Sequence, residues 1–254
     1  MPRLHIFSWN AQGGSGDEKN CQTETKKLLM LQHAIDRIED EQCLILLQEA
    51  GAPETTGYSK GDDVGYGFTC VYAEEDLMAD NQRCTIAVLA NFQELELVDC
   101  IYTGHTGRRV PVFGALGKLF VLTAHMNAGG DSLTETTNVI DQITDNASLS
   151  WFLAGDFNAE PFEHDCSGQM LAPDMFNTIR YSGTRSRPKI CQVFAPSTPT
   201  QGAGGNRHNT YDYAFCSEKV TFILLKYENI KVVDEENGKV YSDHNMMYFQ
   251  LSLP

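Results

Sequence analysis

The stretch Trp151-Phe152-Leu153-Ala154-Gly155-Asp156-Phe157-Asn158 is a short apolar run that ends abruptly in a carboxylate and an amide. A run of this length, bounded by turn-forming residues, predicts a strand, placed at Ser150–Ala154, with Asp156 and Asn158 just past its end. The pattern recurs outward from there. Leu4–Trp9 runs into Asn10, Cys43–Gln48 into Glu49 and Lys118–Ala124 into His125, while Asp243 and His244 sit just ahead of Met246–Leu251. Further strands are expected at Tyr66–Ala73, Cys84–Ala90, Leu95–Ile101, Tyr211–Cys216 and Val220–Leu225. A helix over Gln22–Asp40 should turn Leu28, Leu31, Ile35 and Ile38 inward. A second, over Leu133–Asn146, should start from Asp131 or Ser132 as N-cap and bury Val139, Ile140 and Ile143. Pro161–Thr210, rich in Gly, Pro, Ser and Thr, reads as loops with short elements. Many strands, few helices and mixed connections predict an α/β fold of two packed mixed β-sheets flanked by helices, in one domain over residues 1–254.

Composition sets the outer bounds. With 254 residues, 42% of them apolar and 21% charged, the chain is neither disordered nor a disulfide-stapled mini-protein. Its apolar runs are far shorter than the roughly 20 residues of a membrane helix, so no spanning segment is expected. Eight cysteines contain no C-x-x-C pair, which argues against a structural zinc site, and Cys43, Cys70, Cys84 and Cys216 sit in apolar runs as small hydrophobes. Met1-Pro2-Arg3 leads straight into a strand without a signal-peptide core, so a cytosolic protein or a trimmed exported one is expected.

The net charge of −15 opposes nucleic-acid binding, but the charges are unevenly spread. No acidic residue lies between Asp99 and Asp131, where Arg108, Arg109 and Lys118 occur, nor between Asp174 and Asp212, where Arg180, Arg185, Arg187, Lys189 and Arg207 occur. Two acid-free basic windows in so acidic a chain predict an anion-facing surface.

Any one polar residue at a strand end is an ordinary turn cap. Two histidines together with carboxylates and amides, all at strand ends, predict a site, because α/β proteins place their chemistry there. Glu and Asp together with an Asn carbonyl offer hard oxygen ligands suited to Mg²⁺, Mn²⁺ or Ca²⁺ rather than zinc. His125 and His244 can exchange protons near neutral pH. Those are the parts needed to attack a phosphodiester with water. His5, His33, His105, His164 and His208 have no comparable context, and Trp9 and Trp151 read as packing residues.

Ser8-Trp9-Asn10-Ala11-Gln12-Gly13, Leu47-Gln48-Glu49-Ala50-Gly51, Thr123-Ala124-His125, Ala154-Gly155-Asp156-Phe157-Asn158, Tyr211-Asp212-Tyr213 and Ser242-Asp243-His244 occur in that order. This series resembles the deoxyribonuclease I-like endonuclease/exonuclease/phosphatase superfamily over residues 4–251. The forms WNAQGG, QEAG and HMNAGGD are similar to those of the cytolethal distending toxin catalytic subunits within it. The resemblance implies a four-layer sandwich and a metal-dependent phosphodiesterase, most specifically a DNA endonuclease. The rival activities are a phosphoinositide or phosphomonoester phosphatase and a catalytically silent partner-binding domain.

By resemblance, Glu49 with Asn10 and Asp243 holds Mg²⁺ (or Mn²⁺ or Ca²⁺). His125 and His244 act as general acid and base, with Asp212 orienting one of them. Asp156 and Asn158 position the water and contact the scissile phosphate, and Arg83 and Arg109 reach phosphate. The basic window adds Arg180, Arg185, Arg187 and Lys189 as contacts to phosphates beside the cut. DNA is the implied substrate and toxin-like carrier proteins the implied partners. A toxin-like protein would be secreted, its signal removed, and would act in a target-cell nucleus; otherwise it would be cytoplasmic. The family's acidic partner for the first catalytic histidine has no evident counterpart; Glu74, Glu75 and Asp76 are nearby in sequence but lie in what reads as a loop.

Overall fold

The computed structural model describes residues 1–12, 23–51, 57–74, 85–93, 95–103, 108–115, 119–128, 132–145, 150–161, 177–181, 189–196, 198–202, 209–217 and 221–254. Its elements begin with β1 (Arg3–Asn10), α1 (Glu24–Ile38), β2 (Gln42–Gln48), β3 (Asp63–Gly65), β4 (Phe68–Ala73), β5 (Ile86–Ala90), β6 (Glu96–Tyr102), β7 (Arg109–Ala115) and β8 (Leu119–His125). They continue with α2 (Ser132–Asp145), β9 (Ser150–Asp156), β10 (Asn177–Tyr181), β11 (Lys189–Phe194), β12 (Asp212–Ser217), β13 (Ile223–Ile230), β14 (Val233–Asp234), β15 (Lys239–Val240) and β16 (Met246–Ser252). Two compact units result, one from Met1–Leu95 and Phe222–Pro254 with Gly202, the other from Glu96–Gln201 and the stretch that ends at Thr221.

The first unit is a seven-stranded sheet in the order β13-β16-β1-β2-β5-β4-β3. Every residue from Leu4 to Asn10 is buried, as expected of a central strand covered on both faces. β1 pairs in parallel with β2, which requires a crossover, and α1 supplies it. Thr23 caps α1 by accepting from the Lys26 N–H at 3.2 Å. The buried stripe of α1 is Lys26, Met30, Leu31, Ala34 and Ile38. Leu28, expected inward, is instead 47% exposed. At 3.6 residues per turn it lies about 120° round the helix from Ala34, and Met30 and Ala34 fill the inward face in its place. Phe7, Trp9, Ile45, Leu47 and Tyr248 complete that core.

The second unit repeats the device. Its sheet runs β10-β11-β12-β9-β8-β7-β6, and α2 is the crossover between parallel β8 and β9. Val139, Ile140 and Ile143 of α2 are buried, as expected, in a core with Leu122, Trp151, Leu153 and Phe215. Ser132 is the first helical residue; Asp131, the other expected cap, lies outside the described residues.

Several strands escape a reading by local pattern. β7 carries Pro111 and Gly114, which mask its strand character, yet it pairs on both sides, with β6 and β8. β10 and β11 lie within Pro161–Thr210 and are organised by pairing with each other and with β12. Tyr66, expected to open a strand, has φ +55 and sits in the turn between Gly65 (φ +93) and Gly67 (φ +80), so β4 begins at Phe68. β13 runs to Ile230, five residues past the expected end. Cys43, Cys70, Cys191 and Cys216 are buried. No helix among the described residues is long and apolar enough to cross a membrane.

Candidate active site

Parallel pairing sets the ends of neighbouring strands side by side, and the site residues fall at those ends. In the first unit Asn10 is abreast of Gln48, and Glu49 follows immediately. Asn10 is buried and its Nδ2 donates to Glu49 Oε1 at 3.3 Å. Its Oδ1 accepts the Gln12 backbone N–H at 3.1 Å. The Asn10 carbonyl accepts from Ser242 Oγ at 2.7 Å, and Ser242 Oγ accepts the His244 N–H at 3.1 Å. Trp9, read from sequence as packing alone, also donates from Nε1 to the His244 carbonyl at 3.1 Å. Asp243 Oδ1 lies 3.7 Å from His244 Nε2, with the histidine buried and the carboxylate 40% exposed. Asn10, Glu49, Asp243 and His244 are thus brought into one group. Gln12 joins them through a pair of contacts to Asp243. Its position inside the first motif was the only signal that could have singled it out.

In the second unit three residues form a row. His125 of β8 is abreast of Asp156 of β9, and Asp156 is abreast of Asp212 of β12. All three are buried. His125 Nε2 is 3.7 Å from Asp156 Oδ2, and oxygens of Asp156 and Asp212 lie within 4.8 Å. Asn158 sits one turn further with φ +50, a backbone that asparagine tolerates. Its N–H donates to Asp156 Oδ1 and its Nδ2 to the Met126 carbonyl, both at 2.9 Å. Thr200 Oγ1 accepts the backbone N–H groups of Tyr211 and Asp212 at 3.0 and 2.9 Å, which fixes the start of β12.

The segment after His125 is held by residues that no motif marks. Arg108 Nη1 donates to the carbonyls of His125, at 2.8 Å, and Met126. Glu135, buried in the first turn of α2, accepts the Asn127 N–H at 2.8 Å and Thr103 Oγ1 at 3.4 Å. Arg109 opens β7 with its guanidinium 5.7 Å from the Tyr102 ring. Arg180 and Lys189 lie on β10 and β11. Arg83, Arg185 and Arg187 lie outside the described residues, as do Glu75 and Asp76. Glu74 closes the β4–β5 ladder through its N–H to Ile86 at 2.9 Å. His5 is a core residue, bonded to Tyr248 at 2.9 Å and Glu41 at 2.7 Å.

The oxygens of Glu49, Asp243 and Asn10 form a donor set without a thiol, which fits a hard divalent cation. The His125 row offers a proton-transfer group beside paired carboxylates, and Asn158 adds an amide at the same strand end.

Among known proteins, the chain is 24% identical to a Salmonella typhi homolog of CdtB, the B component of cytolethal distending toxin, over 96% of this chain and 88% of that one. The structure of CdtB itself, the biologically active subunit of the toxin, superposes with a TM-score of 0.60 at 19% identity, covering 98% of this chain and 97% of that one. D. rerio TDP2 complexed with single-strand DNA product gives 0.61 at 14% identity, over 98% and 99%. Those likenesses show the fold: the two-sheet α/β class expected from the strand pattern, in the deoxyribonuclease I-like form that the motif resemblance implied. With its motifs in order and its sequence matching the family profile across residues 7–244, the chain belongs to the Endonuclease/Exonuclease/phosphatase family.

Proposed function

We propose that this chain is a divalent-metal-dependent endonuclease that hydrolyses phosphodiesters of DNA, with residues 1–254 serving as one catalytic domain. The observation that carries the reading is the buried row of His125, Asp156 and Asp212, set abreast at the ends of three adjacent strands. Burying two carboxylates and an imidazole is costly unless they are paired or hydrogen-bonded, and clusters of buried titratable groups at strand ends gather at functional sites. One of His125 and His244 takes a proton from the attacking water, and the other gives a proton to the leaving oxygen. One P–O bond forms and one breaks, with no redox change. Asp156 and Asn158 hold the water and the phosphate, and Asp212 orients a histidine. Glu49, Asp243 and Asn10 would hold Mg²⁺, Mn²⁺ or Ca²⁺, which when bound offsets charge building on the phosphate. Arg83, Arg109, Arg185 and Arg187 serve as phosphate contacts.

DNA is favoured because the TDP2 relative was solved with a single-strand DNA product and because the basic windows suit a polyanion. The likeness to a cytolethal distending toxin subunit suits toxin-like carrier proteins as partners. The test is incubation of the protein with supercoiled plasmid and with a phosphoinositide panel, with Mg²⁺ and with chelator. Nicking that needs Mg²⁺ and stops in chelator is the expected result. Phosphate release from the phosphoinositides with intact plasmid makes the chain a phosphatase. Turnover of neither makes it a silent binding domain.

A further inference from the structure

We infer that Gln12 is a positioning residue of the cation-binding group, holding Asp243 through its side-chain amide and Asn10 through its backbone; the inference rests on the reading of Glu49, Asn10 and Asp243 as that group. Gln12 Nε2 donates to Asp243 Oδ1, and Gln12 Oε1 accepts the Asp243 N–H at 3.1 Å. Its own N–H donates to Asn10 Oδ1 at 3.1 Å, and Asn10 Nδ2 donates on to Glu49 Oε1 at 3.3 Å. A single residue therefore ties all three oxygen donors into one chain of hydrogen bonds.

The backbone makes the choice of glutamine informative. Gln12 has φ +48, a conformation that glycine adopts freely and asparagine more readily than glutamine. Local propensity therefore argues against this side chain. What it supplies is a primary amide of the right length, one oxygen and one NH₂, facing the N–H and the carboxylate oxygen that residue 243 presents. Asparagine is a methylene too short to reach both. The turn itself has separate anchors on the intervening residue: the Ala11 N–H donates to the Gln48 carbonyl at 2.8 Å, and buried Lys26 donates to the Ala11 carbonyl. Loss of the Gln12 amide should thus free Asp243 while the turn stays in place. Asp243 is 40% exposed, so without the amide its carboxylate would sample several rotamers. An oriented ligand binds more tightly than one that must first be ordered, and outer-shell partners of this kind are worth about ten- to a hundredfold in metal affinity.

The experiment measures Mn²⁺ binding to the metal-free protein by calorimetry, beside thermal melting, for wild type, Gln12→Asn, Gln12→Gly, Asp243→Ala and Glu49→Ala. Both Gln12 variants should bind Mn²⁺ about tenfold or more weakly while melting at or above the wild-type temperature. Saturating Mn²⁺ should restore their turnover, so the defect appears as a raised metal requirement. Wild-type affinity in Gln12→Gly and Gln12→Asn overturns the inference and leaves the metal assignment standing. Weaker binding that merely follows the unfolded fraction also overturns it, because the role is then structural. Mn²⁺ binding indifferent to both Asp243→Ala and Glu49→Ala overturns the metal assignment itself.

Discussion

His125 and His244 are each buried with an aspartate oxygen 3.7 Å from Nε2, the buried Asp156 beside the first and the 40% exposed Asp243 beside the second. A group that moves a proton in the rate-limiting step contributes about 10²–10⁴ in rate. His125→Ala and His244→Ala should each lower plasmid nicking by about that factor with the far-ultraviolet spectrum unchanged, and near-normal nicking by either variant removes that histidine from the mechanism. Gly155 carries a different constraint. It is abreast of Ala124 in the parallel pair, and a Cβ built on it runs into the Ala124 backbone. Gly155→Ala must therefore push β8 from β9 where His125 and Asp156 meet. A loss of about 3 kcal/mol in urea unfolding is expected, with activity falling further than stability. A variant as stable and active as wild type would show that the sheet absorbs the methyl group.

At the scale of elements, α1 is tied to the edge strand β13 by Arg37 Nε, which donates to Glu228 Oε2 at 2.7 Å. Burial pushes the Glu228 carboxyl up, but hydrogen bonds from Lys226 and Arg37, with their charges, outweigh it and hold it below its ordinary value of 4.5. A carboxyl lowered by folding contributes stability that is present above its unfolded value and is lost as pH falls through the folded one. Arg37→Met should cost about 0.5–1 kcal/mol at pH 7, since the pair is partly exposed. Urea titrations from pH 7 downward should show the two proteins converge in acid, whereas a gap independent of pH would assign the loss to packing. In the other unit Arg108 joins the start of β7 to the end of β8 through the His125 and Met126 carbonyls. Arg108→Met should slow turnover by up to about a hundredfold without altering the pH profile, because it moves the histidine rather than titrating with it. A changed profile would make Arg108 part of the acid–base apparatus.

For the whole molecule the question is how a chain of net charge −15 would hold DNA, the substrate proposed for it. Long-range steering repels the duplex, so binding must come from the cation and from local basic residues. The window between Asp174 and Asp212 holds five basic residues and no acidic one. Arg185 and Arg187 replaced together by Gln should weaken DNA binding and flatten its logarithmic salt dependence by about two, one counterion per lost contact. A phosphodiester too short to reach them should be hydrolysed at the wild-type rate. Equal plasmid cleavage by the double variant across a salt series would place DNA elsewhere.

The sequence by itself determined the strands that end in chemistry and the polar residues at those ends. Buried central strands such as β1, β2, β8 and β9 are mostly apolar, so a carboxylate, amide or imidazole at the end of one is conspicuous. It also determined the inward face of α2, whose Val139, Ile140 and Ile143 share one side at helical spacing. Only the tertiary structure decided which strand ends are neighbours. That His125 stands beside Asp156 follows from the parallel register that the α2 crossover imposes. β7, β10 and β11 exist because adjacent strands satisfy their backbone groups; Pro111 and Gly114 hide β7 from a local reading, and β10 and β11 are short strands within a stretch rich in Gly, Pro, Ser and Thr. The amide of Gln12 meets Asp243 across 231 residues of chain, and Arg108 rather than Arg109 turns onto the His125 carbonyl. Adjacent strand residues face opposite sides, and a pair of arginines in a row does not say which faces which.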